Sequence, residues 1–234
     1  MTNKPFLLLF LVIGGAVGFF NAISTQLSQL MCSRGYENWY SGMVGSLLLG
    51  TGFLGAIVTG IIVDKTGKME EVSKLCFGIA GIFGILLVEF MRLSDKGVWI
   101  TIFASAFGVF GFGMYPIALE LSVEATYPLD ESLGTAMVFL SGQLQGGVLV
   151  FLSQMLEQPL DKEALQLQVC DEGGPDTSAK DHTVFLMVLA GYITAICTIF
   201  IAFFHTEYKR TLANQAREAV GEESLGRDTP SLTE

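Results

Sequence analysis

Charge is scarce in this chain. Only 15% of its 234 residues are Asp, Glu, Lys or Arg, against roughly 25% in a soluble domain. Hydrophobic residues make up 51%, and the mean hydropathy is +0.54. A soluble globular class is excluded on that ground. Histidine is nearly absent too, limited to His182 and His205, and cysteine to Cys32, Cys76, Cys170 and Cys197. These residues have no metal-ligand spacing. The chain also lacks a phosphate-binding glycine loop and a nucleophile–base pair, so no enzyme, cofactor or metal site is expected. Acids outnumber bases by 23 to 13. No basic stripe suggests a nucleic-acid partner, and much of the acid lies in the segment 157–181 and in the tail after Phe204.

The few charges are segregated. Uncharged runs of 29, 26, 23, 25 and 25 residues follow Lys4, Glu37, Lys96, Glu131 and Asp181. About 20 residues of helix cross the hydrocarbon core, so each run is long enough. A sixth, weaker segment has 14 uncharged residues between Lys74 and Glu89. It spans only if Glu89 sits at an interface or faces protein. The expected class is therefore all-α: a polytopic membrane protein with helices near 5–31, 39–63, 74–92, 97–120, 132–156 and 183–205. Residues 1–206 form one six-helix transmembrane unit. Residues 207–234 read as a polar, disordered cytoplasmic tail. Lys and Arg set orientation. With the N-terminus inside, eight bases fall inside and five outside, and the pairs Lys65/Lys68 and Lys209/Arg210 lie inside. The protein is expected to be multi-pass, in the plasma membrane or an internal one, with the bilayer as its solvent.

Glycine is plentiful, at 27 residues, and most of it lies within the apolar segments. Small residues let membrane helices approach closely. The segment between the second and third runs reads Gly60-Ile-Ile-Val-Asp64-Lys65-Thr-Gly67-Lys68. Gly60 is expected to allow close helix packing, and Gly67 to take the left-handed conformation that ends a helix. This pattern resembles the short cytoplasmic loop signature of the major facilitator superfamily.

A second stretch runs Gly111-Phe-Gly-Met-Tyr115-Pro-Ile-Ala-Leu-Glu120-Leu-Ser-Val-Glu124-Ala-Thr-Tyr-Pro128, with Glu131 and Gly142-Gln143 after it. It resembles solute carrier family 49, the group containing the feline leukaemia virus subgroup C receptor-related transporters. The resemblance covers nearly the whole chain except the tail. It implies that these six helices are the C-terminal half of a twelve-helix, facilitator-type carrier working by alternating access. The missing N-terminal half, or a second copy of this chain, would complete it. A truncated, non-transporting isoform with a regulatory role is the rival, as is a homodimerising half-transporter.

Polar residues at mid-membrane depth usually face protein or a cavity. Asn21, with Ser24 to Gln26, sits in the first helix, and Gln143, with Ser141 and Gln145, in the fifth. The resemblance implies a small-solute site, with quaternary-amine-like substrates bound by an aromatic on the first helix and a glutamine on the fifth. Gln143 matches that glutamine. Phe20 or Asn21 falls where relatives carry tyrosine, so Phe20 keeps the ring without the hydroxyl. At the cytoplasmic edge, Asp64, Lys65, Glu120 and Glu124 are candidate gating charges, and Glu120 and Glu124 are expected to point one way from i,i+4 spacing. Permanent interface charges are the plainer alternative. Cys32 and Cys170 both fall outside in this topology, where a disulfide persists, whereas Cys76 and Cys197 lie within helices.

Overall fold

The protein's structure, a computed structural model, describes residues 4–126, 130–160 and 180–205. Six long helices account for most of it: α1 (Lys4–Cys32), α2 (Asn38–Thr66), α3 (Met69–Phe90), α4 (Gly97–Thr126), α5 (Glu131–Met155) and α6 (Thr183–Phe203). Two-residue strands, β1 (Gln158–Pro159) and β2 (Lys180–Asp181), pair antiparallel, with Gln158 opposite Asp181. The shortest helix, α6, has 21 residues, or about 32 Å at 1.5 Å per residue. All six are long and apolar enough to cross a membrane. Their outer faces carry large apolar side chains such as Leu75 and Ile82 on α3 and Ile201 and Phe203 on α6. Such faces suit lipid, and helices satisfy their own backbone groups there. The chain is an integral, multi-pass, all-α membrane protein.

Three boundaries differ from expectation for one reason. Charged residues suggest loop, but the helices continue through them: Asp64 and Lys65 lie within α2, Glu70 and Glu71 within α3, and Glu124 within α4. The helix α3 starts at Met69, five residues early, and Glu70 and Glu71 occupy its first turn, where acids suit the helix dipole. Gly67 and Lys68 alone join it to α2. Gly67 has φ 66° and donates its N–H to the Val63 carbonyl, as a left-handed cap should. Gly60 does not pack closely, because a Cβ added there would meet nothing within 4 Å. The helix α4 runs on to Thr126 with Pro116 inside it. Glu89 is the penultimate residue of α3 and pairs with Arg92 just beyond it at 2.7 Å.

Glycines set the tightest contacts. The helix α2 packs most extensively on α4, and α1 on α5, while α3 lies against α4 and α6. Added Cβ atoms on Gly55 and Gly108 would collide with the backbone of Val109 and Leu48 across the α2–α4 seam. Aromatic rings fill the α3–α6 seam, where Phe77 meets Phe200 edge-on at 5.0 Å. In contrast, α1 and α4 touch only lightly.

A polar clasp closes the Cys32 end. Arg34 Nη2 donates to Asp181 Oδ1 at 2.8 Å and to Thr183 Oγ1 at 2.5 Å, and Lys180 pairs with Glu157. Burial alone would raise the Asp181 pKa, but two hydrogen bonds from Thr183 and the nearby Arg34 and His182 charges outweigh it, leaving it lowered. His182, only 6% exposed, has its pKa lowered by burial despite Glu157 and Asp181 nearby.

Candidate substrate cavity

A cavity of about 280 Å³ opens inside the bundle, walled by α1, α4 and α5 and reaching α3 and α6. Phe20, Asn21 and Gln143 all line it. Phe20 stands edge-on to Phe112 at 5.0 Å and 89°, and Tyr115 to Phe139 at 5.6 Å and 84°. Asn21 Nδ2 donates to Gln143 Oε1 in a long contact of 3.4 Å. The lining holds no charged side chain. Aromatic faces carry negative quadrupoles, so this wall suits an organic cation or a neutral solute and repels an anion.

Glycine packing explains the juxtaposition. A Cβ on Gly18 would lie 2.8 Å from Gly146 N, and one on Gly146 would lie 3.3 Å from the Gly18 Cα and 3.2 Å from the Asn21 Cβ. The two backbones therefore touch, and Asn21 and Gln143 come together one turn away on each helix. A polar bridge reinforces the same seam. Gln145 Nε2 donates to the Leu11 carbonyl at 3.1 Å and to Ser141 Oγ at 2.9 Å, and Ser141 Oγ donates to the Phe10 carbonyl at 2.6 Å. Tyr192 of α6 donates its hydroxyl to Gln145 Oε1 at 2.6 Å. Gln26 donates to Ser153 further along. The sequence offered no reason to single out Tyr192, because an aromatic in an apolar run reads as bulk.

The gating candidates occupy the opposite, Gly67 end. Asp64 and Lys65 are exposed in the last turn of α2. The pair on α4 divides: Glu120 is exposed, whereas Glu124 is 3% exposed. Four residues advance about 40° beyond a full turn, enough to carry the second acid across the burial boundary. The nearby bases are already engaged, Lys74 with Glu70 at 2.7 Å and Lys68 with Glu71 at 3.2 Å. Among the described residues, no ion pair joins Asp64, Lys65 or Glu120 to another group. Cys32 is disulfide-bonded, and Cys76 and Cys197 are free thiols. Its expected partner Cys170 lies outside the described residues, as does the tail 207–234.

Known proteins align with this arrangement over almost its whole length. Solute carrier family 49 member A3 of Xenopus tropicalis is 37% identical over 213 residues, covering 91% of this chain and 43% of that protein. The Danio rerio protein of the same name is 33% identical over 226 residues, covering 97% of this chain and 46% of its own. The chain belongs to solute carrier family 49. More distantly, the choline/ethanolamine transporter FLVCR2 of Homo sapiens is 26% identical over 237 residues, covering 99% of this chain and 41% of its own. The chain thus spans less than half the length of these relatives. No protein-family model matches it. Within a family of solute carriers, an uncharged, aromatic-walled cavity inside the helix bundle is the feature on which a functional reading turns.

Proposed function

We propose that this chain is the C-terminal half of a facilitator-type carrier for a small organic solute, and that the solute carries a quaternary-amine-like head. One observation supports the reading above others: Phe20, Asn21 and Gln143, from two helices, converge on one uncharged cavity. A methylammonium head against the Phe20 and Phe112 rings gains roughly 0.5–2 kcal/mol of cation–π attraction. Asn21 and Gln143 would take a hydroxyl. Relatives named choline/ethanolamine transporters support that head chemistry. The exposed α2 and α5 faces would meet the other half, with alternating access by rocking of the halves about the site. Asp64, Lys65 and Glu120 would pair across that interface in the inward-closed state, since the bases beside them, Lys68 and Lys74, are taken. The buried Glu124 would anchor the same helix end.

Binding of tritiated choline to the chain in lipid nanodiscs tests the site. Saturable binding is expected. Gln143→Ala should weaken it about three- to tenfold, the worth of one hydrogen bond. Absence of saturable binding, or wild-type affinity in Gln143→Ala, overturns the assignment.

A further inference from the structure

The cavity has two chemically different ends. Asn21, Gln143 and the Phe20 ring mark one. The other is built from Phe77, Ala80 and Gly81 of α3 and Ile193 of α6, with Phe107 and Met114 of α4 beside them. The helices α5 and α3 share at most marginal contact, so a space touching both crosses the width of the bundle. It passes through the line where α1 and α4 meet only lightly. No polar side chain lines the far end. A buried water needs two to four polar partners, so this end is a poor place for water and a good one for hydrocarbon.

Small residues keep it open. Ala80 and Gly81 face it from α3, and Gly111 from α4. A Cβ on Gly111 would find its nearest neighbours, two Phe107 ring carbons, at 3.8 Å, which is ordinary contact, so the room there is real and unfilled. Gly81 also serves packing, since a Cβ there would strike Cys197.

We propose that the far end is a subsite for an apolar arm of the solute. The ligand class is then a small amphiphile, with a methylated ammonium head at Phe20, Asn21 and Gln143 and a short alkyl chain running between α1 and α4 toward Ala80. The proposal rests on the carrier reading above for its head group and adds the arm to it. Ala80 and Gly111 become specificity-determining residues, because larger side chains there would shorten the subsite.

Two homologous series of probes test it on the chain in lipid nanodiscs: ethyl- to hexyl-trimethylammonium, and the uncharged 1-alkanols of matching length. Each methylene buried in the arm subsite should tighten ammonium binding about fourfold. Ala80→Leu and, independently, Gly111→Leu should flatten that dependence. Either variant suffices if the other does not elute as a monodisperse species. Chain-length-independent affinity in the wild type overturns the arm and leaves the head reading intact. A gradient that persists in both filled variants also overturns it, placing the chain elsewhere. If only the alkanols bind, with the same gradient lost on filling, the arm stands and the ammonium head falls. Binding of no probe overturns both.

Discussion

Gly55 is the position at which adding one carbon should do most harm to this bundle. A Cβ there would sit 2.7 Å from the Val109 Cα and carbonyl carbon, and closer still to the carbonyl oxygen. Optimal carbon contacts lie at about 3.5–4.0 Å, so α2 and α4 would have to part by close to 1 Å. Neither atom is the end of a flexible side chain, so backbone must move. Two cross-seam hydrogen bonds lie nearby. The Thr51 hydroxyl reaches the Ser105 carbonyl at 2.9 Å, and the Thr59 hydroxyl the Gly113 carbonyl at 2.7 Å. Separation of that size removes both. Interhelical hydrogen bonds in membranes average about 0.6 kcal/mol, so the pair is worth about 1 kcal/mol. Overpacking adds roughly 1–3 kcal/mol. Alanine returns about 1 kcal/mol of helix propensity. The net expectation for Gly55→Ala is a loss of about 2 kcal/mol, or about 30-fold in the unfolding equilibrium. Gly50→Ala is the matched control on the same helix, since an added Cβ there meets nothing within 4 Å, and it should be neutral or slightly stabilising. Unfolding in mixed micelles at rising SDS fraction measures both. Equal midpoints for the two variants would refute the claim that glycine sets the α2–α4 distance.

The remaining predictions concern the other seams. Gln145→Leu strands the Tyr192 hydroxyl and should cost about 1–3 kcal/mol, whereas adding Tyr192→Phe should restore much of it; purely additive losses in the same SDS titration would remove the bridge as a unit. Burial holds the His182 pKa below its ordinary value of about 6.5, so the unfolded chain takes the proton first as pH falls. Stability is full above that value and drains as pH drops from it toward the folded pKa; the melting temperature should fall over this window in wild type and much less in His182→Gln, and parallel curves would sink the idea. Non-reducing peptide mass spectrometry should recover a cross-linked Cys32–Cys170 peptide; full alkylation of both thiols without prior reduction would rule the pairing out.

Much of this was legible because hydrocarbon is an exacting solvent. A charge-free run of over 20 residues has few alternatives to a spanning helix, so five spans could be read from charge spacing. The sixth, α3, needed Glu89 at its end, and Glu89 is the penultimate residue of that helix. Asn21 and Gln143 were findable for a related reason, since polar groups at that depth face protein or cavity. Gly60 and Gly55 illustrate the limit. Both are glycines on α2 within one apolar run, yet one meets open space and the other a carbonyl. Which face a glycine presents depends on the partner helix, and pairings such as α2 with α4 are tertiary facts. The same limit hid Tyr192, whose hydroxyl matters only because α6 brings it to Gln145.

The two close seams also constrain how the cavity can change shape. Gly18 against Gly146, with the Ser141–Gln145 bridge, locks α1 to α5. Gly55 against Val109, with Gly108 against Leu48, locks α2 to α4. Neither seam can slide without carrying an α-carbon into a backbone atom. The cavity lies between these pairs, along the light α1–α4 contact. A deformation that spares both seams must move one pair against the other, and the residues that register such a movement are those facing each other across the gap. Phe20 on α1 and Phe112 on α4, 5.0 Å apart, are such a pair. They also form the aromatic wall proposed for the solute's head, so a solute held between them would bind best at one particular spacing of the two helix pairs. Binding and the shape of the bundle would then be coupled through a single edge-to-face contact.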